Sequence, residues 1–282
     1  MSVRIIVDST ADIVPELKAQ MKVVPLTIIF GAEEFIDGVT ITYKDFYEKL
    51  IEGDDLPSTS QATPAAFAEV FEEVAAAGDT AVVLTVSSKL SGTYQSAMIA
   101  AEDYQDSIFV VDTMSVAIGS GILAELALKL AKEGMDAKAI AEIMEKEREN
   151  VRLIAMLDTL EYLMRGGRIS RTAAIAGGLL NIKPVVAIRN GVIETLGKAR
   201  GSKQGNNLLV KEIEAAGGVD FTKPVMLGFT GIEDSLLKKY VKDSAALWEG
   251  YAESLRSAMI GSVVGTHAGP GAIAVAFFAN QN

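Results

Sequence analysis

Three short stretches of this sequence concentrate hydroxyl, amide and imidazole groups. Ser58-Thr59-Ser60-Gln61 stands just before Thr63-Pro64, and Ser87-Ser88-Lys89-Leu90-Ser91-Gly92-Thr93 follows an apolar β-branched run. Gly265-Thr266-His267-Ala268-Gly269-Pro270-Gly271 holds the chain's single histidine. Each is expected where a strand ends, the edge at which open α/β sheets bind ligands. Hydroxyls and a glycine at a helix start, where free N–H groups and the helix dipole favour negative charge, make an anion-binding position. Plainer readings stand beside this one. Serine and threonine before a helix also act simply as caps, and a histidine in a glycine turn is also a structural residue. Gly166-Gly167 within Arg165-Gly-Gly-Arg168 reads most simply as a helix C-terminus.

Several common chemistries are missing. No glycine-rich loop ends in Gly-Lys-Ser/Thr, and Gly119-Ser-Gly121 lacks the third glycine and preceding strand of a dinucleotide fingerprint. No Gly-x-Ser-x-Gly elbow presents a nucleophilic serine. The chain has no cysteine, which excludes disulfides and thiolate metal sites, and one histidine leaves a zinc site short of ligands. A net charge of −11 is the opposite of a nucleic-acid-binding footprint.

The scaffold that must position these groups is legible as a pattern. At 282 residues the chain exceeds what one compact core usually serves, so two domains are expected, 1–150 and 151–282. Strands and helices alternate, the signature of parallel βαβ construction. Strands are predicted over residues 3–7, 23–30, 81–86 and 108–111. Thr63 as N-cap and Pro64 at the first helical position open a helix whose Phe67, Val70, Phe71 and Val74 form one buried stripe. Further helices are predicted from about Thr93, over 122–132, and from Ala137 into the charged run 145–150, a solvated face near the domain join. Strand 151–157 and a helix near Leu160 follow. Asn190-Gly191, between strands 184–188 and 192–196, is the strongest short hairpin signal and predicts a mixed sheet in the second domain. Strands over 224–229 and 272–278 flank a helix over 233–248.

As a set, seven motifs resemble the DegV family: Asp8-Ser-Thr-Ala-Asp12, Thr59-Ser-Gln61, Ser88-Lys-Leu-Ser-Gly-Thr-Tyr-Gln95, Arg165-Gly-Gly-Arg-Ile-Ser170, Ile182-Lys-Pro184, Lys198-Ala-Arg200 and Thr266-His-Ala-Gly-Pro-Gly271. They stand in that family's order and span nearly the whole chain. The resemblance implies an N-terminal three-layer α/β domain with a parallel sheet and a C-terminal α/β domain with a mixed sheet. It also implies a long-chain fatty acid, such as palmitate, stearate or oleate, in the cleft between them. Thr59, Ser91 and His267 match the family's carboxylate-binding network, with Ser60, Ser88 and Gly92 beside them. Arg168 and Arg200 match arginines associated with phosphoryl transfer and an ATP-dependent kinase subunit, while ordinary surface ion pairs remain the alternative for both.

The expectation is therefore a carrier without catalysis of its own and without metal or cofactor. Its N-terminus reads as cytoplasmic, with no secretion signal or transmembrane segment, which still leaves room for transient membrane contact. One rival reading is a lipid hydrolase or acyltransferase using Ser91 with His267, for which no orienting acid is identifiable. Another is a regulatory module that holds a different anionic amphiphile.

Overall fold

The computed structural model of the protein describes residues 2–53, 56–170 and 182–281. Strand β1 (Val3–Asp8) sends Ile5 and Val7 to one face and Ile6 to the other, the period of two that a pleated strand imposes. It pairs in parallel with β2 (Lys22–Val24) and with β6 (Thr80–Thr85), which pairs in parallel with β7 (Ile108–Asp112). The order is β2-β1-β6-β7. Helices α5 (Ala117–Lys132) and α6 (Ala137–Glu147) cover the Ile5 and Val7 face with Ile122, Ala127 and Ile140. The Ile6 face meets α2 (Tyr43–Glu52), α3 (Pro64–Ala76) and α4 (Thr93–Ala100) through Phe46, Phe67, Phe71 and Ala97. The result is three layers.

Local signals placed several of these elements well. Thr63 Oγ1 accepts the Ala66 N–H at 3.2 Å as the N-cap of α3, and Phe67, Val70, Phe71 and Val74 are all buried. A short helix α1 (Pro15–Lys18) and a small antiparallel sheet of β3 (Thr27–Phe30), β4 (Glu33–Ile36) and β5 (Ser58–Ser60) complete this part.

After α6 the chain builds a second, mixed sheet. Its strands are β8 (Val151–Met156), β9 (Ile182–Arg189), β10 (Val192–Arg200), β11 (Met226–Phe229), β12 (Arg256–Met259) and β13 (Ile273–Phe278). The order is β10-β9-β8-β13-β11-β12, and only β11 and β12 run parallel. Asn190 and Gly191 both have positive φ, 50° and 79°, the type I′ geometry expected for the β9–β10 hairpin. Helix α7 (Glu161–Arg165) follows β8. Helices α8 (Gly201–Ala215) and α9 (Ser235–Asp243) pack on one face through Leu209, Ile213, Leu237 and Tyr240. The last helix, α10 (Ser262–Ala268), precedes β13. Helix α5 lies between the two sheets, sharing a cluster with Leu153, Met226 and Ala276 of the mixed one.

Four expectations need correction. The stretch 23–30 is two strands in different sheets, because Pro25 offers no N–H to a ladder and the Leu26 N–H goes to Ser9 Oγ at 3.1 Å. The helix expected to reach 248 stops at Asp243. There Ser244 Oγ donates to the Tyr240 carbonyl at 2.6 Å and accepts from Trp248 Nε1 at 3.0 Å, and a 3-10 turn (Ala245–Trp248) follows. The cluster at 58–61 does not follow a strand, since Ser58–Ser60 is itself β5. His267 sits in helix α10 rather than in a glycine turn, which begins only at Gly269.

Candidate functional site

Thr10 beyond β1 and Val86 beyond β6 face strands β8, β9 and β13 across a cavity of about 980 Å³, open mouth included. Apolar side chains dominate its lining, among them Leu157, Leu163, Val186, Ile188, Ile193 and Ile273. Two of its polar residues are spoken for: the Thr10 hydroxyl donates to Asp8, and Thr230 Oγ1 accepts the Ala272 N–H. Among the described residues, six other polar ones line it: Thr59, Ser60, Gln61, Ser91, Arg168 and His267.

These six come from four separate pieces of chain and line the same cavity. Thr59 Oγ1 and His267 Nε2 lie 2.9 Å apart, joining β5 to α10. His267 Nδ1 is buried with no hydrogen-bond partner among the described residues; it abuts Gly166, where an added Cβ would come within 2.1 Å of it. Burial first, and the Arg168 charge second, push the imidazole down to about 4, so the ring is neutral near pH 7. Arg168 is half-buried; its Nε donates to the Leu90 carbonyl at 3.2 Å and its Nη1 to the Gly166 carbonyl at 2.6 Å. Ser91 Oγ sits 2.9 Å from Thr93 Oγ1 and accepts the Thr93 N–H at 3.3 Å, at the start of α4. Gln61 Nε2 donates to Ser96 Oγ at 2.9 Å, and its carboxamide lies so close over Gly92 that a Cβ there would meet Oε1 at 2.1 Å.

Not every residue singled out from the sequence lines the cavity. Gly92 acts beneath Gln61 instead, and Ser88 is exposed, its N–H turned to the Asp112 carboxylate at 3.2 Å. Arg200 is exposed at the end of β10, outside the lining, with its N–H on Gln204 Oε1 at 2.9 Å. Gly166 and Gln61 were not singled out as site residues. Their roles depend on His267 and Gly92, which are distant in sequence.

A neutral imidazole, three hydroxyls and a carboxamide beside one guanidinium can share an anionic head group, while the apolar walls can hold a hydrocarbon. Among the described residues no group of three or more His, Cys, Asp or Glu could hold a metal ion. No described helix is long and apolar enough to cross a membrane.

A parallel three-layer unit joined to a mixed sheet, with a largely apolar cavity whose lining includes a set of polar side chains, defines the class of α/β protein. The family profile described as "Uncharacterised protein, DegV family" matches residues 2–280, and the chain belongs to the DegV family. A DegV domain-containing protein of Caldanaerobacter subterraneus subsp. tengcongensis is 34% identical over 280 residues, 98% of each chain. Among solved structures, a DegV-family protein of Thermus thermophilus described as binding fatty acid is 32% identical. It superposes with a TM-score of 0.87, covering 99% of this chain and 100% of its own. A DegV-family protein of Eubacterium eligens loaded with heptadecanoic acid is 26% identical, with a TM-score of 0.83 and coverage of 99% and 100%.

Proposed function

We propose that this protein binds one long-chain fatty acid, with its carboxylate among Thr59, Ser91 and His267 and its tail in the apolar cavity. In this reading residues 1–150 and 151–282 are two domains, and the ligand lies in the cleft between them. The observation that carries it is the pairing of the Thr59–His267 contact with walls made almost wholly of aliphatic side chains. The Thermus and Eubacterium relatives, described with fatty acid, support it.

Magnitudes agree. About fourteen methylenes buried at about 0.8 kcal/mol each contribute roughly 11 kcal/mol before the costs of association. Tight binding then needs few polar contacts, and a neutral histidine with hydroxyl donors can hold the carboxylate beside the half-buried Arg168 guanidinium. Presentation of the carboxylate to a separate cytoplasmic kinase subunit is the finer part of the proposal. Arg168, already in the lining, would meet a phosphoryl group there, and exposed Arg200 would meet the partner. A stand-alone hydrolase has less support, since Thr59 rather than Ser91 lies within hydrogen-bond reach of His267 Nε2.

Native mass spectrometry of the protein from a bacterial host tests the binding reading. A mass excess of one fatty acid, lost on denaturation and reduced in Thr59→Ala plus Ser91→Ala, is expected. A bare native mass, with no uptake of added palmitate or oleate, would overturn it. Charge reversal of Arg168 or Arg200 should abolish acyl phosphate formation with a kinase subunit; loss of lipid binding from Arg200 reversal would instead refute the partner-facing role.

A further inference from the structure

Asp8-Ser-Thr-Ala-Asp12 folds into a second polar centre that the head-group reading leaves without a role. Asp8 is satisfied there: Oδ1 accepts from the Thr10 N–H at 2.9 Å and hydroxyl at 2.6 Å, and Oδ2 from the Val86 N–H at 2.6 Å. Asp12 is not. Only 2% exposed, it accepts the Gly261 N–H on Oδ1 at 2.8 Å, while Oδ2 has no hydrogen-bond partner among the described residues. Asp37, 3% exposed, has neither oxygen in a hydrogen bond of good geometry, although the hydroxyls of Ser9 and Ser262 face it.

Charge does not balance at this centre. The titratable groups that face Asp12 are Lys18 from α1, Asp8 from β1, Asp37 from the turn after β4, and Tyr43 and Tyr47 from α2. Lys18 Nζ donates to the Tyr43 hydroxyl at 2.9 Å. One ammonium cannot offset three buried carboxylates, and an uncompensated dry carboxylate is costly enough that a proton is retained instead. Burial above all, opposed by Lys18 and the Gly261 N–H and reinforced by Asp37 and Asp8, pushes Asp12 up to about 8.

What Asp12 holds is the start of helix α10. Gly261 is the residue before Ser262, and His267 stands in the last turn of the same helix. A second tie closes the junction, the Tyr47 hydroxyl donating to the Ile260 carbonyl at 2.9 Å. Space is tight, for a Cβ on Gly261 would lie 3.0 Å from the Tyr43 ring and 3.1 Å from Asp12 Oδ1. Seven residues of helix do not hold an orientation by themselves. The place of His267 opposite Thr59 therefore follows from where the first turn is pinned.

We propose that Asp12 is a positioning residue for the Thr59–His267 pair, pinning helix α10 through Gly261 while its own carboxyl group is neutral. Ionised, Asp12 would face Asp37 at like charge in a dry site, and the repulsion would loosen the junction that the Gly261 bond closes. The inference uses the fatty-acid reading only for its binding readout.

The test compares Asp12→Asn, which keeps a neutral acceptor, with Asp12→Ala, which removes it. The His267 ring resonances are followed by NMR without ligand, and palmitate affinity is measured from pH 6 to 9. Asp12→Asn should keep the wild-type ring shifts and an affinity within about twofold at pH 7. It should also lack the fall in affinity above pH 8 that the proposal expects of the wild type. Asp12→Ala should move the ring resonances and weaken binding about tenfold. Equal damage from both substitutions at pH 7 would show that the charge is needed and overturn the proposal, as would unmoved ring shifts and affinity in Asp12→Ala. If Asp12→Ala does not fold, the pH profile of Asp12→Asn decides: an alkaline fall matching the wild type overturns the neutral role. Should palmitate bind none of the proteins, wild type included, the ligand reading fails while the ring shifts still decide the positioning role.

Discussion

Thr59 Oγ1 stands 2.9 Å from His267 Nε2, although 208 residues separate them in the chain. A three-residue edge strand supplies the hydroxyl and a seven-residue helix supplies the ring, so neither element could fix the pair alone. Removing the hydroxyl by Thr59→Ala should weaken fatty-acid binding by about 1–1.5 kcal/mol, near tenfold, with little change in thermal stability. Displacement of a fluorescent fatty acid would measure it. A methyl ester ligand should show no such difference between wild type and variant.

Gly166 and Gly167 make a paired control. Gly166 has ordinary helical φ, but a Cβ there would come within 2.1 Å of His267 Nδ1. Gly166→Ala should displace the ring, weakening ligand binding and costing about 1–3 kcal/mol of stability. Gly167 has φ of 73° and open space around its Cα. Gly167→Ala should cost about 1–2 kcal/mol of stability and leave affinity unchanged. Denaturant melts and binding curves on the two variants would separate crowding from backbone strain.

The pH dependence of stability should change character near pH 6.5. Asp12 is raised to about 8, so between its ordinary 3.8 and 8 the folded state holds more protons than the unfolded one, and stability rises as pH falls from 8. Raised Asp8 and Asp37 act in the same direction. His267, lowered to about 4 from 6.5, does the opposite: across that window the unfolded state binds more protons, and stability is lost as pH falls. His267→Gln should therefore gain stability relative to wild type as pH drops from 6.5 towards 4, by up to about 1.4 kcal/mol per pH unit. Chemical denaturation at pH 8, 6.5 and 5 would show it; a constant difference between the two proteins would refute it.

A buried hydrogen bond crosses from the parallel unit to the hairpin, Ser87 Oγ donating to the Gly191 carbonyl at 2.8 Å. Leu90, three residues on, lines the cavity, as does Ile193 of the same hairpin. Ser87→Ala should cost about 1–2 kcal/mol and speed ligand dissociation several-fold without altering the Thr59–His267 contact. Stopped-flow release of a fluorescent fatty acid is the measurement, and an unchanged rate would separate this bond from ligand retention.

Short-range signals made much of the scaffold legible. Strand alternation at Ile5-Ile6-Val7, the Thr63-Pro64 cap and the positive-φ pair Asn190-Gly191 are local devices, each set by a residue and its near neighbours. The motif set that marks the DegV family is equally a property of the chain read in order.

Other features depended on contacts that no local pattern encodes. The run 23–30 divides between two sheets once Ser9 takes the Leu26 N–H. Helix α10 exists where Asp12 and Tyr47 hold the Ile260–Gly261 backbone, more than two hundred residues away along the chain. From the sequence alone Gly166 is only the end of a helix; its lack of a side chain matters because His267 packs against it. The sequence by itself determined elements such as β1, the Thr63-capped α3 and the β9–β10 hairpin, and which residue types could meet a carboxylate, since those follow from propensity, capping and chemical class. Tertiary structure alone decided which of them meet, because burial, the neutral state of His267 and the crowding at Gly166 and Gly261 arise only between segments brought together by folding.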